Sequence, residues 1–522
     1  MRPVSAPGLS FPLGPGVVTL RPDGSIEAVR ADSGSATSWL DAGGRVAVRI
    51  AGAELWWPET SVAADVDEVE FSHLGREDLG LVVRHSFAGG WTVRVAFGNN
   101  TLEPLTIAPE LAWVPAATSP AWVLAAGATG AYAILGPGGA WPLLGGELML
   151  GTSDTVSAES IGLGPFTLGP LGRHVVQWRW NWFDHPQAFH QDRFLDVPRD
   201  LVLPASETAR IAADDDEAVV APGVEVARRG GQLELAPMGP GVVSVQLSSR
   251  RGVTRYEIEW AAPLDEVLAE IGERVLRGPR SPAGLVRLAD VDVALVIQHL
   301  LASGATDDPN DAEDALGLFE SRLVAGAVTD GRGVAFLCGE FERTGEQDLL
   351  DRATAALLGL SDPVPGLGLA TAQVCVARLS LGWPVEPVLA HLAAVTAASE
   401  PGEDLGATAV ALEMRLVGAP RAATDAERAE TQAVEAWSTR LGTGLGAGLR
   451  GRPVRPLPVD QQAYLASVLG LLPEPLGSRV RSDWGCRPHD VARRAQAEAL
   501  ARLGWQPPRA AHSWLIMGAR LA

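Results

Sequence analysis

One segment of the sequence, residues 177–194, mixes aromatic and ionisable side chains more densely than the rest of the chain. Its three tryptophans occupy alternate positions: Trp178, Trp180 and Trp182. Alternate residues of a strand face the same side of a sheet, so we expect these indole rings to share one face. Such a face suits the apolar side of a sugar, and it suits contact between a sheet and a helical domain equally well. Asp184 and His185 follow directly, and they could bind the same ligand or only form a turn.

A second candidate segment, residues 481–490, is polar and has an aromatic residue near its centre. The hydrophobic residues on either side predict two helices, and therefore a loop between them. Nothing in helix packing requires Asp483, Trp484 or His489 at these positions. We expect Asp483 to supply a catalytic carboxylate, and Trp484 and His489 to contact a substrate.

Three further carboxylates of the C-terminal half are catalytic candidates: Asp330, Glu340 and Asp460. Hydrolysis of a glycosidic bond needs two carboxyl groups about 5–9.5 Å apart, one on each side of the sugar. Asp330 and Asp460 precede predicted helices, where capping of the helix alone explains an acidic residue. Glu340 and Glu342 are two residues apart on a predicted helix and face different sides of it, and we expect Glu340 to lie nearer the interior.

The composition excludes several kinds of chemistry and partner. The 522 residues include no lysine, which excludes a Schiff-base mechanism. The three cysteines are far apart and have no histidine at metal-ligand spacing, so we expect neither a metal site nor a cofactor. A formal net charge of −21 disfavours nucleic acid and anionic membranes as partners. An oligosaccharide or another small molecule is the expected ligand, and the oligomeric state stays open.

Two stretches bear on where the protein is located. Residues 1–16 contain one arginine and no continuous apolar run, so they do not have the form of a signal peptide. The least polar stretch, residues 121–150, is interrupted by glycine and proline, which excludes a membrane-spanning helix there. We therefore expect a soluble cytoplasmic protein.

The hydrophobic period divides the chain into a β half and a helical half. From about residue 15 to 260, apolar residues alternate with polar ones, as in residues 91–97, which predicts antiparallel sheets packed face to face. At Pro263 the period changes to 3.6, and residues 264–276 form one apolar stripe. The predicted domains are a β-supersandwich at 1–195, a small β-sandwich or linker domain at 196–262, and an α/α toroid-like helical domain at 263–522.

Twelve helices are predicted in the C-terminal half, at about 264–277, 284–303, 310–328, 332–344, 346–360, 367–381, 385–399, 405–417, 424–441, 459–472, 488–503 and 509–520. No repeated motif accompanies this spacing, which disfavours an open stack of the TPR type. A closed ring of helical hairpins fits the pattern better.

A β-sandwich followed by about twelve helices resembles the six-hairpin glycosidase-like proteins, in which a β-supersandwich precedes an (α/α)6 toroid. Residues 333–353 have the local character of such a toroid, because a helix ends at Thr-Gly and a new helix begins with acidic residues. The resemblance implies a carbohydrate-active protein, and most directly a glycoside hydrolase acting on an oligosaccharide through paired carboxylates. No catalytic motif of these families can be transferred residue by residue.

Two alternatives to a hydrolase therefore remain. The chain could be a non-catalytic relative that binds carbohydrate or serves as a scaffold. It could also be a polysaccharide lyase, which needs a tyrosine or histidine as base, and in the helical half Tyr464 and His489 are the candidates.

Overall fold

The computed structural model describes residues 9–32, 37–55, 57, 59–74, 76–157, 160–190, 193–194, 196–212, 218–249, 252–280, 284, 286–325, 328–397, 404–418 and 425–521. Apart from a short helix at Pro186–His190, the longer described elements as far as Ala261 are strands, and from Leu264 they are helices, with one two-residue strand at Arg452–Pro453. The predicted order of a β half and a helical half is therefore confirmed, with the change at Pro263, where the hydrophobic period changes.

The strands of the larger β region are β1 (Leu9–Leu13), β2 (Gly16–Leu20), β3 (Ile26–Arg30), β4 (Leu40–Ile50), β5 (Ala53–Glu54), β6 (Glu59–Ala64), β7 (Glu68–Leu74), β8 (Leu79–Ser86), β9 (Trp91–Asn99), β10 (Leu105–Pro115), β11 (Ala121–Ala126), β12 (Thr129–Gly136), β13 (Ala140–Leu150), β14 (Thr155–Val156), β15 (Ser160–Gly162), β16 (Phe166–Leu168) and β17 (Arg173–Phe183). A short helix, α1 (Pro186–His190), follows. The remaining strands are β18 (Val202–Pro204), β19 (Ala209–Ala212), β20 (Ala218–Val220), β21 (Val224–Arg229), β22 (Gln232–Pro237), β23 (Gly241–Ser249), β24 (Gly252–Ala261) and, far along the chain, β25 (Arg452–Pro453).

Two large sheets pack face to face in the first part of the chain. One has the order β1-β2-β3-β4-β10-β15-β14, and the other has the order β25-β11-β12-β13-β17-β9-β8-β7-β6. In β9 the alternating residues Trp91, Val93, Val95 and Phe97 are all at most 1% exposed, as the period-two pattern predicts. The core of this sandwich lies between the two inner faces.

The described residues between Val202 and Ala261 form two small sheets, β18-β24-β23-β20 and β19-β22-β21. Their apolar side chains do not form a separate core, because Leu235 and Ile258 belong to the same cluster as Trp122 and Leu124 on the outer face of the second large sheet. The small sheets thus cover that face. The predicted domain boundary near residue 195 stays a prediction, since one apolar core continues across it.

The helices of the second half are α2 (Leu264–Leu276), α3 (Val291–Ser303), α4 (Pro309–Ala325), α5 (Gly331–Thr344), α6 (Gln347–Gly359), α7 (Leu367–Ser380), α8 (Glu386–Ala397), α9 (Leu405–Gly418), α10 (Asp425–Gly444), α11 (Val459–Gly470), α12 (Glu474–Trp484), α13 (Pro488–Leu503) and α14 (Ala510–Ala519). Among the helices of the described ranges, α3, α5, α7, α9, α11 and α14 contact one another in that order, and α14 returns to α3. The other helices pack around them. This order is the closed ring that the spacing predicts.

Two predicted helix boundaries need correction. Helix α3 begins at Val291 and not near residue 284, because Asp290 caps it by accepting from the N–H groups of Asp292 and Val293, each at 3.1 Å. The predicted loop at 481–490 is also corrected. Its first residues end helix α12, Gly485 in the left-handed conformation stops that helix, and Pro488 begins α13. The predicted boundaries at residues 399 and 424 lie outside the described residues.

Candidate functional site

The aromatic face predicted in residues 177–194 lies inside the β-sandwich. Trp178 and Trp180 are 1% and 0% exposed, and the Trp180 ring centroid is 4.3 Å from that of Trp113 on the opposite sheet. Trp182 is half-buried and donates from Nε1 to the carbonyl oxygen of Leu13 at 2.9 Å. The three rings do share a face, but that face is packed against protein. This corrects the prediction of an exposed sugar platform, and also the alternative of a sheet-to-helix contact.

The two segments singled out in the sequence meet where the β half contacts the helical half. Gly485 lies against the side chain of Gln187 in α1, and Arg199 donates to the carbonyl oxygen of Gly485 at 3.4 Å. Asp184 is exposed beside this contact, and Nδ1 of His185 accepts from the N–H of Ala188 at 3.1 Å. His185 therefore stabilises the first turn of α1. A ligand-binding role for either residue stays a prediction.

The residues predicted in segment 481–490 have separate surroundings. Trp484 is 2% exposed and belongs to the core of the helical ring, which corrects its prediction as a surface contact for sugar. His489 is exposed and lines a small cavity of about 260 Å³ between α11, α13 and α14. Asp483 is in the last turn of α12, and its side chain lies outside the part of the chain that the structure describes.

The other predicted carboxylates are each held by neighbouring groups. Asp330 caps α5 by accepting from the N–H of Arg332 at 2.9 Å and also pairs with that guanidinium group. Asp460 pairs with Arg509 and accepts from the N–H of Ala511 at 3.0 Å. Glu340 is 3% exposed and accepts from Nε2 of Gln298 at 2.7 Å, which confirms that it faces the interior.

Asp330 and Glu340 cannot act together on one glycosidic bond. They are ten residues apart along a single helix, which corresponds to about 15 Å at 1.5 Å per residue. The separation needed is about 5–9.5 Å. This pairing of predicted residues is therefore excluded by geometry.

The N-terminal ends of the inner helices carry a polar network. Asp292 at the start of α3 accepts from Nη1 of Arg332 at 2.9 Å and from Oγ of Ser513 at 2.5 Å, so one carboxylate joins α3, α5 and α14. The Arg332 guanidinium group also lies 5.4 Å from the ring centroid of Trp514. Burial raises the pKa of Asp292, although the hydrogen bond from Ser513 and the Arg332 charge act in the opposite direction. These contacts close the ring at this end.

A cavity of about 450 Å³ lies beside this end of the ring, between the helical half and the β-sandwich. We call it the interdomain cavity. Its β wall comes from residues 117–122 and from Gly138 and Gly139, and its helical wall includes Asp404, Arg440, Arg455, Gln462 and Glu498. Leu405, Leu445 and Pro453 are among its apolar residues. An apolar cavity with a few convergent polar groups at a domain interface is the usual form of a ligand site.

The cationic side of the interdomain cavity is positioned from both halves of the chain. Arg455 is held in place by the carbonyl oxygens of Pro115 and Ala116, each at 3.2 Å from its guanidinium nitrogens. Arg440 comes from the last turns of α10. Two guanidinium groups at one cavity favour a ligand that carries a carboxylate, because an arginine can donate two parallel hydrogen bonds to one.

The acidic side of the interdomain cavity consists of Asp404 and Glu498. Asp404 is exposed and caps α9 by accepting from the N–H of Ala407 at 2.8 Å. Glu498 accepts from Nε of Arg494 at 3.0 Å and from Nε2 of Gln462 at 2.8 Å. Asp404 is thus the carboxylate with the greater access to a ligand, while Glu498 is fixed by its neighbours.

Sequence analysis does not identify the polar residues of the interdomain cavity, because no local spacing connects them. They are Asp404, Arg440, Arg455, Gln462 and Glu498. Asp404 and Glu498 are almost a hundred residues apart, and the β wall precedes Asp404 by more than 260 residues and Glu498 by more than 350. A weak signal exists at Arg452–Leu457, a proline-containing stretch with two arginines between predicted helices. The sequence pattern does not identify a strand there, whereas Arg452–Pro453 forms strand β25 against β11.

Tyr464 is buried in the centre of the ring and does not reach the interdomain cavity. It is 4% exposed and donates its hydroxyl hydrogen to Glu413, which is 0% exposed and also accepts from the N–H of Leu369 at 2.6 Å. Burial raises the pKa of Tyr464 well above its usual value. Tyr464 is therefore unsuited to act as the base of a lyase. Burial also raises the pKa of Glu413, to about 7.

Replacement of Glu413 by glutamine should remove a dependence of stability on pH. The folded-state pKa of about 7 lies above the ordinary value, so the folded protein binds a proton more tightly than the unfolded chain does. The free energy of unfolding should then fall by about 3 kcal/mol as the pH rises from about 4.5 to about 7. The neutral amide of Glu413→Gln cannot lose a proton, so this fall should be absent.

Urea unfolding followed by circular dichroism, at about pH 5 and about pH 7.5, measures this difference. The control is Glu386→Gln, which makes the same chemical change at an exposed position in α8. Equal pH dependence in the wild-type protein and in Glu413→Gln would contradict the assignment.

Comparison with known proteins agrees with this architecture. No family model matches the sequence, and no curated protein matches it either. A solved structure of a polysaccharide lyase superposes with a TM-score of 0.66 at 11% identity, over 94% of this chain and 93% of that chain. A TPR-domain-containing protein from Parabacteroides distasonis covers 96% of this chain and 88% of its own at 12% identity, but its TM-score of 0.24 carries no information on the fold. The likeness to the lyase shows a shared fold, and the six-hairpin glycosidase resemblance stays a prediction.

The described residues also bear on metal binding and on membrane insertion. Across those ranges, no group of three or more histidine, cysteine, aspartate or glutamate side chains could hold a metal ion. No helix within them has both the length and the apolar character needed to cross a lipid bilayer.

Proposed function

We propose that this chain is a carbohydrate-active protein that binds an acidic oligosaccharide in the interdomain cavity and cleaves it there. The observation that carries the proposal is the convergence of Arg440 and Arg455 with Asp404 and Glu498 on one cavity between the β and helical halves. The likeness in fold to a polysaccharide lyase over almost the whole chain supports a carbohydrate as the ligand.

An acidic sugar suits the local charges of the cavity. The chain as a whole carries a formal net charge of −21, which repels anions at long range. A carboxylate ligand therefore needs cations close to its binding position, and Arg440 and Arg455 supply two.

The reaction that this set of charges favours is β-elimination at a uronate residue. Pairing of the substrate carboxylate with the two arginines makes the neighbouring C5 proton more acidic. Asp404 takes that proton, the electron pair forms the C4–C5 double bond, and the C4–O bond breaks. The protonated Asp404 then returns its proton to the leaving oxygen, so the carboxylate is regenerated and no water is consumed.

Hydrolysis is the second candidate, because the same cavity contains two carboxylates. In that reaction Asp404 and Glu498 would act on opposite sides of the glycosidic bond, one as acid and the other as base or nucleophile. This pair replaces the predicted set of Asp330, Glu340, Asp460 and Asp483 at the proposed site. Asp483 itself stays an untested prediction.

The test is incubation of the purified protein with polygalacturonate, alginate, hyaluronate and a neutral glucan. Elimination produces an unsaturated uronate that absorbs ultraviolet light, together with new reducing ends. Hydrolysis produces reducing ends without that absorbance. Binding without any product would favour a non-catalytic carbohydrate-binding relative, and preference for the neutral glucan would contradict the role of the two arginines. Failure to bind or cleave any of the four would contradict the proposal.

A further inference from the structure

A second cavity, of about 810 Å³, lies beneath the small sheets. We call it the β cavity. It is lined by Val123 of β11, by Gln246 and Tyr256 of the paired strands β23 and β24, and by Arg452 and Val454. Its walls therefore come from the large sandwich, the small sheets and the segment that leads into α11. Its volume is in the range of about 300–1,000 Å³ that is typical of small-molecule sites.

Tyr256 is the residue of this cavity that lacks a partner. It is 6% exposed, and its hydroxyl oxygen is buried without a hydrogen-bond partner among the residues that the structure describes. A buried hydroxyl group without a partner destabilises the folded state. The hydroxyl oxygen has almost no accessible surface, so Tyr256 contributes other atoms of its side chain, and not its hydroxyl group, to the cavity wall.

The other lining groups match a saccharide better than an ion or a purely apolar molecule. Charged side chains of both signs line the cavity and are exposed. Arg255 and Arg452 are positive, and Asp154 and Glu257 are negative. Gln246 adds an amide that accepts from Nε of Arg255 at 3.3 Å. Mixed donors and acceptors over apolar residues suit a chain with many hydroxyl groups and apolar C–H faces.

The β cavity and the interdomain cavity share one wall. Pro453 lines both, and it pairs with Trp122 of β11, which lines the interdomain cavity. The neighbouring pair, Val123 and Arg452, lines the β cavity. The two cavities therefore meet at consecutive residue pairs of the ladder between β11 and β25, and consecutive residues of a strand are about 3.3 Å apart.

We propose that the β cavity is a distal subsite of one extended saccharide-binding site. A long saccharide chain occupies the interdomain cavity with the part that is cleaved, and its continuation crosses the Arg452–Arg455 segment into the β cavity. This inference rests on the proposed function, because it assigns the same class of ligand to both cavities. It predicts that the protein distinguishes long chains from short ones.

The test compares a disaccharide with an octasaccharide of the uronate polysaccharide that binds best among polygalacturonate, alginate and hyaluronate. Tyr256→Phe removes only a hydroxyl group that has almost no accessible surface, so it should fold normally and leave octasaccharide binding unchanged. Val220→Trp should weaken it by about ten-fold or more, because the 61% exposed Val220 lines the β cavity and an indole would fill it. Neither variant should change the dissociation constant of the disaccharide.

Two control variants separate this inference from the proposed function. Val226→Trp places the same indole on a 43% exposed valine of the small sheets that does not line the cavity, and binding should be unchanged. Arg455→Gln changes the interdomain cavity and should weaken both ligands. If only Arg455→Gln weakens octasaccharide binding, the distal subsite is overturned and the proposed function stands. If the wild-type protein binds neither ligand, the proposed function fails and the inference fails with it.

Discussion

Asp404→Asn should lower the turnover of an acidic oligosaccharide by about 10²- to 10⁴-fold, the usual contribution of a general acid or base. Asparagine caps a helix as well as aspartate does, so α9 should keep its N-terminal hydrogen bond from Ala407. The dissociation constant for the substrate should change little, because Arg440 and Arg455 remain in place. The measurement is steady-state kinetics with the polysaccharide that the wild-type protein cleaves best.

The matched control for this prediction is Asp290→Asn. It makes the same chemical change at the N-cap of another inner-ring helix, α3, and Asp290 does not line the interdomain cavity. Its turnover should equal that of the wild-type protein. Full activity in Asp404→Asn, or an equal loss in both variants, would remove Asp404 from the reaction.

Trp484→Ala should destabilise the helical half by about 3–5 kcal/mol, as expected for a large buried aromatic residue. The ring is 2% exposed, and a methyl group added at Gly442 would lie 2.1 Å from it, so the surrounding packing is tight. Oligosaccharide binding should be unchanged in the folded variant. This outcome differs from the sequence-based expectation of a sugar contact, which predicts the opposite pattern.

The midpoint of urea unfolding, followed by circular dichroism at wavelengths that report helix, measures the destabilisation. Trp505→Ala is the control, because that ring is 46% exposed and its removal should change stability by no more than about 0.5 kcal/mol. A Trp484→Ala variant of normal stability with weakened sugar binding would restore the earlier interpretation.

The sequence predicts the architecture because its signals are local. Alternation in residues 91–97 identifies β9 without any knowledge of its partners, and Pro263 marks the start of α2 to within one residue. Helix α12 was missed for an equally local reason. Among the eleven residues Glu474–Trp484, the large apolar ones are Leu476, Val480 and Trp484. Their spacing of four is helical, but the stripe consists of only three residues among proline, glycine and arginine.

The candidate site could not be predicted in the same way. The hydrogen bond between Arg455 and Ala116 joins residues 339 positions apart, and only the fold brings them together. Trp180 shows what a local pattern leaves open. Alternation predicts which face of the strand the ring is on, but not whether that face contacts solvent or a second sheet. Residue type alone therefore predicted a sugar-binding face of tryptophans. The polar groups of the interdomain cavity are instead arginines and carboxylates from distant segments.

The closure of the helical ring also has a kinetic consequence. Ser513 on α14 donates a hydrogen bond to Asp292 on α3, which is 221 residues earlier in the sequence. The ring is therefore closed by the two inner helices that are farthest apart in the sequence. Loop closure over that length costs roughly 5 kcal/mol of chain entropy before the contact forms. During synthesis at about 5–20 residues per second, α3 would wait roughly 10–40 s for its last neighbour. During that interval the apolar side of α3 that packs against α14 is uncovered. A chaperone, or an incorrect contact with another segment, would first form at this surface.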